Sequence, residues 1–397
     1  MGSSFAERAL AAVGTARLSR HAPRAVGAPA GPRLELCRAA LAHPLGAPPL
    51  GELARSARSI AIAISDASRD EPRDELLAAL LDELPRERVT LVVAAGTHRA
   101  DAGVVPSRFR HLPCVVHDAT RADRVVELGS TREGTRVRML REICEADLVV
   151  ATGRIRPHYF AGYSGGVKSV FPGCGFQADI LENHLLKADP SARLGRVDDN
   201  RCRLDMEAAA LMLPGRLSIL DVLDDCDGNP VAAASGDPIL AHRALARQAR
   251  ELFVVEAPRS PVVVVADRPP ITRSLYQASK MLPPAGALLE PGGTVIMLAE
   301  CDKGIGPLER VNEGIYRLGV SRQLPEGHRV VLISQLSPDV VRESYAEPAG
   351  DLGAALEEAL DRAGVASGVL LWRAGECIAE ARPGGGREAG NALVSGA

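Results

Sequence analysis

The segment His158-Tyr-Phe-Ala-Gly-Tyr-Ser-Gly165-Gly166-Val-Lys168-Ser-Val-Phe-Pro-Gly173-Cys-Gly175 sets one amine among five glycines, with no acidic residue beside it in sequence. A neutral amine is a nucleophile toward carbonyl-type carbon, and a charged one is a partner for an anion. Glycines such as Gly165 and Gly166 let backbone N–H groups come close to a ligand, as phosphate-cradling loops do. The spacing is not that of a Walker loop, because G-x-x-x-x-G-K-[ST] is not matched. Imidazoles recur nearby: His158 heads the segment, His98 follows Gly96-Thr97, and His184 follows Glu182-Asn183. An imidazole near neutral pH can act as base, acid or metal ligand. Asp66-Ala-Ser-Arg69 adds a carboxylate and a guanidinium. Tyr276-Gln277-Ala-Ser-Lys280 adds a second amine, with Gln277 and Lys280 three apart on one helical face. Each piece also has a plain structural explanation: Asp66 and Arg69 as a local ion pair capping a helix, His98 as a hydrogen-bonded loop residue, the glycines as a turn.

What makes them more than separate fragments is where they fall along the chain. Apolar runs at Ile60–Ile64, Val89–Ala94, Cys114–His117 and Leu148–Ala151 read as strands, and Glu71–Leu84, Ala178–Lys187 and Pro238–Phe253 as helices. The polar clusters of Asp66, His98 and His158 each come directly after one of those strands. Alternating strands and helices predict a doubly wound, mostly parallel sheet, whose ligands bind beyond the carboxyl ends of the strands. A second series follows the break Glu256-Ala-Pro-Arg-Ser-Pro261, with strands at Val262–Ala266, Thr294–Ala299 and Val330–Ser334. Helices are expected around Ser274–Met281, Val340–Tyr345 and Asp351–Ala363, and Val369–Trp372 is expected as an edge strand. The expectation is therefore an α/β protein of two domains. Residues 1–256 would hold a cofactor, residues 260–397 would form a smaller α/β domain, and the active site would lie in the cleft between them. The first thirty residues, rich in Ala and Arg, read as a poorly ordered arm, and the stretch from Pro383 as a fraying end.

Bulk properties exclude several classes. Of 397 residues, 46% are hydrophobic and 24% charged, the balance of a globular protein with room for two cores. A formal net charge of −3 leaves no footprint for nucleic acid or an anionic membrane surface, and no run approaches the length of a spanning helix. Eight cysteines lie singly, without a C-x-x-C pair, which fits a reducing cytoplasm rather than a disulfide framework or zinc knuckle.

With those residues in order, the sequence resembles the nickel-pincer-nucleotide-dependent lactate racemase family. The resemblance rests on Asp66-x-x-Arg69, Gly-Thr-His98-Arg, the His158–Gly175 segment with Lys168 ten residues after its His, His184, and Gln277-x-x-Lys280. It spans about residues 43–306; the N-terminal arm and the last sixty or so residues do not contribute. It implies that Lys168 tethers the nickel-pincer nucleotide covalently and that His184 completes square-planar nickel. It further implies that His98 and His158 are the paired acid–base groups and that Arg69 and Lys280 hold a substrate carboxylate. Asp66, Tyr276, Gln277, Gly165 and Gly166 are implied to contact the cofactor or orient its neighbours. The implied reaction is inversion at C2 of a 2-hydroxyacid through a 2-keto acid, and the implied partners are that small molecule and the enzymes that make the cofactor. The residues alone leave two other readings open: a pyridoxal-phosphate isomerase with Lys168 as Schiff base, which leaves the three histidines idle, and a non-catalytic protein that binds the nucleotide or a hydroxyacid. Neither the particular substrate nor the oligomeric state is legible.

Overall fold

The computed structural model describes residues 4–14 and 16–382. Two six-stranded sheets organise the chain. Ile60, Ile62, Ile64, Leu91 and Val93 fill one face of the first sheet against the helix Arg73–Glu83, whose Leu76, Leu77 and Leu80 are fully buried. Each such side chain removed from water contributes about 1.5–3 kcal/mol before entropy is counted. The strand order is 230–236, 216–224, 148–155, 60–65, 89–94, 114–116, parallel throughout except for Pro230–Gly236. The chain builds outward from Ile60–Ser65 through two strands and then returns to place Leu148–Ile155 on the other side. Strand order thus reverses between 60–65 and 148–155, the position where a parallel sheet offers its crevice.

The second sheet is all parallel, in the order 18–21, 368–372, 260–266, 289–298, 329–333, 347–349, with its own reversal beside Ser260–Ala266. Here the structure corrects three expectations. The N-terminal arm is not loose: Phe5–Val13 is a helix closed by a reciprocal Ser4–Glu7 capping box, and it buries Ala6 and Leu10 against the second sheet. Leu18–His21 then pairs with Gly368–Trp372, so that strand is interior rather than an edge. Nor is the stretch around residue 256 a bare linker, since Val254–Ala257 forms a strand parallel to Ile378–Ala381 and the next strand starts at Ser260. Composition concealed all three, because a single buried Leu or a Val-Val pair is enough when a neighbouring strand supplies the hydrogen bonds. The fraying expected from Pro383 lies outside the described residues.

Smaller differences matter for the site. Leu148–Ile155 runs four residues further than its apolar core, so Gly153 and Arg154 are strand residues, and Pro157–His158 pairs antiparallel with Gly162–Tyr163. The helix around Ser274–Met281 is a succession of short turns that leads into Leu282–Leu288. The π-helical stretch Arg310–Val320, which lies between strands 289–298 and 329–333 of the second sheet, is absent from the elements expected from the sequence. Among the described residues no helix is long and apolar enough to cross a membrane.

Candidate active site

Asp66 and His98 leave adjacent strands of the first sheet at its reversal side and meet. Asp66 is buried, and His98 Nδ1 lies 2.9 Å from its Oδ2 while Ser68 N and Oγ donate to its Oδ1 at 2.7 and 2.5 Å. Burial works to raise the Asp66 carboxyl, but the bonds from His98 and Ser68 outweigh it and hold the group below the ordinary carboxylate range. An ionised Asp66 takes a proton-bearing Nδ1, which leaves Nε2 of His98 with its lone pair. The local Asp66–Arg69 ion pair entertained from the sequence does not form. Instead Arg73 fastens the turn by donating to the carbonyls of Ser65 (2.8 Å), Asp66 and Arg69 (2.9 Å), and the Arg69 side chain is exposed.

The glycine segment folds back over the end of Leu148–Ile155. Gly165 and Gly166 both have positive φ, at 75° and 62°. A Cβ on Gly165 would lie 2.8 Å from Asp221 Oδ2, and one on Gly166 would lie 2.6 Å from Arg203 Nη2. The two glycines therefore let the turn seat on a buried charged support, a duty beyond any approach to a ligand. Asp221 accepts from Gly166 N at 2.6 Å, and Arg203 donates to the carbonyls of Tyr163 (3.2 Å) and Gly165 (3.4 Å) while paired with Glu207 at 2.6 Å. Neither Arg203 nor Asp221 carried a signal in sequence, since both lie on elements, Arg201–Ala210 and Arg216–Asp224, that the apolar pattern did not reveal.

That support leaves Lys168 with unusual company. Its Nζ has the Met206 sulfur at 3.9 Å and the Phe160 ring at 5.5 Å, and no carboxylate forms an ion pair with it among the described residues. Burial first, then the charges of Arg203 and Arg69, pull its ammonium down to about 7, so the amine is substantially neutral at cellular pH.

Phe160, 4% exposed, is the hub of the site: its ring meets His158 edge-on at 4.5 Å and His184 at 5.0 Å. His158 Nδ1 accepts from Ala161 N at 3.3 Å. Burial and then the positive charges of Lys168, Lys280 and Arg69 hold its ring well below the usual imidazole range. His184 sits in the last turn of Gln177–Leu185, with Nδ1 3.3 Å from Asn183 Oδ1. Asn183 is itself fixed by donating to Asp205 at 2.8 Å and to the Cys202 carbonyl at 3.2 Å. A ring that donates from Nδ1 keeps Nε2 free to ligate, and burial followed by Lys187 and Lys168 keeps it unprotonated.

From the second lobe, Lys280 Nζ donates to Gln277 Oε1 at 2.5 Å. Burial, then Arg69 and Lys168, draw it down to about 7. The Lys280 charge bears on His158, although the two residues follow strands of different sheets. Tyr276 packs against Gly306, and its main chain bonds to Ile305 O, with no polar contact from its ring to the other candidates among the described residues. No group of three or more His, Cys, Asp or Glu gathers as a metal cage among the described residues. A lone imidazole beside a neutral amine instead suits a metal that arrives with its own ligands.

Residues 10–195 match the sequence model of the lactate racemase N-terminal domain. The chain is 29% identical to the lactate racemase of Thermoanaerobacterium thermosaccharolyticum over 362 residues, 81% of this chain and 84% of that one. It is also 29% identical to the lactate racemase of Lactiplantibacillus plantarum over 381 residues, 85% and 88% of the two chains. The apoprotein structure of the former superposes with a TM-score of 0.81 at 27% identity, covering 92% of this chain and 96% of that one. Over most of its length this chain is similar to lactate racemases. A Thermotoga maritima protein, at 16% identity and a TM-score of 0.64 over 88% of this chain and 98% of its own, shares the fold. Its likeness to these racemases makes its reaction class that of an isomerase, and its mixed α/β fold with mostly parallel sheets matches that of the lactate racemase apoprotein.

Proposed function

We propose that the protein inverts C2 of a 2-hydroxyacid, with lactate as the first candidate, using a nickel-pincer nucleotide joined to Lys168 and ligated through its metal by His184. The reading is carried by one observation: Arg69, Lys168 and Lys280 lie within electrostatic reach of each other and of His158, with no carboxylate paired to any of the three cations among the described residues. Cations gathered without counter-ions are costly unless an anion completes them. The residues fit the cofactor on their own chemistry, an amine at 168 with a substantial neutral fraction near pH 7 and an imidazole at 184 whose Nδ1 is already occupied. When bound, the cofactor supplies a hydride acceptor that works in both directions.

The chain's residues do the rest. Arg69 and Lys280 hold the carboxylate, the guanidinium as a fork and the ammonium as a point charge. His98, polarised by Asp66, takes the hydroxyl proton at Nε2 as C2 is oxidised to the ketone. Protonating the carbonyl oxygen from the other side is the part of His158, which takes up its proton once the bound carboxylate offsets the Lys280 and Arg69 charges that disfavour it. Two imidazoles are needed because the hydroxyl of each enantiomer faces a different side. Phe160 and Tyr159, both buried beside His158, exclude water from the keto acid while it turns. The eight cysteines, none disulfide-bonded in the structure, suit a cytoplasmic location, where cofactor-making enzymes would load the chain.

The test is a chiral assay on protein coexpressed with those enzymes, over lactate and a panel of aromatic, dicarboxylic and sugar-derived 2-hydroxyacids. Conversion of either enantiomer of at least one acid to the racemate is expected, together with silence from protein made without the enzymes. Fully loaded protein that racemises none of the panel contradicts the reading.

A further inference from the structure

Only four lysines occur in this chain, at positions 168, 187, 280 and 303, against 47 lysines and arginines together. Arginine is thus the default cation here, and the positions that stay lysine are those where an amine is wanted rather than a charge alone. Lys168 and Lys280 already have such roles in the proposed function, and Lys303 is exposed in a loop. Lys187 has none, yet it lies at the same place. It follows His184 by three residues, in the tight turn Leu186–Ala188. Its Nζ stands 5.4 Å from the centre of the Phe160 ring, the ring that Lys168 approaches at 5.5 Å. It donates to Gly314 O at 3.0 Å, across to the π-helical stretch of the second lobe. An ammonium has three hydrogens to give, and no carboxylate forms an ion pair with this one among the described residues. Burial draws it down to about 8, as an unpaired cation would be drawn. Its stem runs against the main chain of Gly319, where a Cβ would stand 3.3 Å from Lys187 Cδ.

We propose that Lys187 is an oxyanion-binding residue of this site, and that the oxyanion it takes is the phosphate monoester of the bound nucleotide rather than the substrate carboxylate. The choice between the two sources rests on the proposed function, which gives the carboxylate to Arg69 and Lys280 on the side of His158, while Lys187 extends from the turn that follows the helix of His184. With phosphate on two of its hydrogens and Gly314 O on the third, Lys187 joins the nucleotide to the second lobe.

The test uses the full chain purified without cofactor and two probes, inorganic phosphate and lactate, titrated by calorimetry. Lys187→Gln is expected to weaken phosphate binding by about tenfold or more, the cost of a charged hydrogen bond, and to leave lactate unchanged. Lys187→Arg, which keeps the charge and the hydrogen-bond donors, is expected to retain part of the affinity, and Lys303→Gln to behave as the native chain. Phosphate affinity unchanged in Lys187→Gln overturns the proposal, as does a native chain that binds no phosphate. Should Lys187→Gln weaken lactate instead of phosphate, the carboxylate is the occupant and the assignment is overturned. Lys280→Gln separates the two readings: loss of lactate binding there supports the proposed function whatever happens at Lys187, and its absence counts against that function alone. Melting temperatures of the variants within a few degrees of the native chain exclude general unfolding as the cause.

Discussion

Lys168→Arg is expected to abolish racemisation, by on the order of a thousandfold or more, while the protein stays folded. The substitution keeps a positive charge beside Phe160 and Met206, so any purely electrostatic role for the residue survives it. What it removes is a nucleophilic nitrogen. At a pKa of about 7 roughly half of the Lys168 amine is neutral at pH 7, against well under a hundredth for an ordinary lysine, and a guanidinium is never neutral there. The sign matters: burial and the nearby Arg203 and Arg69 charges disfavour the protonated form, so reactivity toward acylating reagents should rise through neutral pH and not near pH 10. Measuring the initial rate of chiral conversion for matured Lys168→Arg checks the effect, and activity within tenfold of the native chain rules out an attachment role.

The second large effect is expected at the Asp66–His98 pair. His98→Ala should lower kcat by roughly 10²–10⁴, the usual worth of a positioned general base. Asp66→Asn should lower it less, about 10- to 100-fold, because an amide oxygen can still accept from Nδ1 but no longer stabilises a charged ring. KM should change little in either variant, since the carboxylate is held by Arg69 and Lys280. The equilibrium constant between enantiomers is one, so kcat/KM must fall equally in both directions even though the two kcat values need not. Steady-state kinetics from each pure enantiomer decides the matter. An Asp66→Asn enzyme with unchanged kcat shows that the 2.9 Å contact to His98 is structural.

The residues proposed to carry this chemistry stand out in the sequence, and the supports that the structure gives them do not. Arg69, His98, His158, Lys168, His184 and Lys280 announce themselves because their types and spacings are unusual for loops, and the strands before them are continuous apolar runs. The structure brings all six into one electrostatic neighbourhood. Phe160 and Asn183 were hidden because a Phe or Asn inside a helix or turn has no signature until its partners are known. Arg203 and Asp221 were hidden for a related reason. A charged residue reads as surface in sequence, and only the fold shows that each is buried and held by main-chain groups of the glycine turn.

In the fold, the first sheet was readable up to Leu148–Ile155, where strands follow the pattern of buried parallel β structure. Beyond it, Pro230–Gly236 and the hairpin Val125–Leu140 were missed because half-exposed strands with Ala, Ser and Arg lack that pattern. Leu18–His21 was missed because its partner lies some 350 residues further along the chain, a pairing that no local window contains.

The most direct test of the central claim is tandem mass spectrometry with metal analysis on protein matured by the cofactor-making enzymes. The account predicts a covalent adduct on the side-chain nitrogen of Lys168 and close to one nickel per adduct, with His184→Ala retaining the adduct but losing metal. Racemase-active protein whose Lys168 is unmodified, or whose nickel is absent, would contradict it.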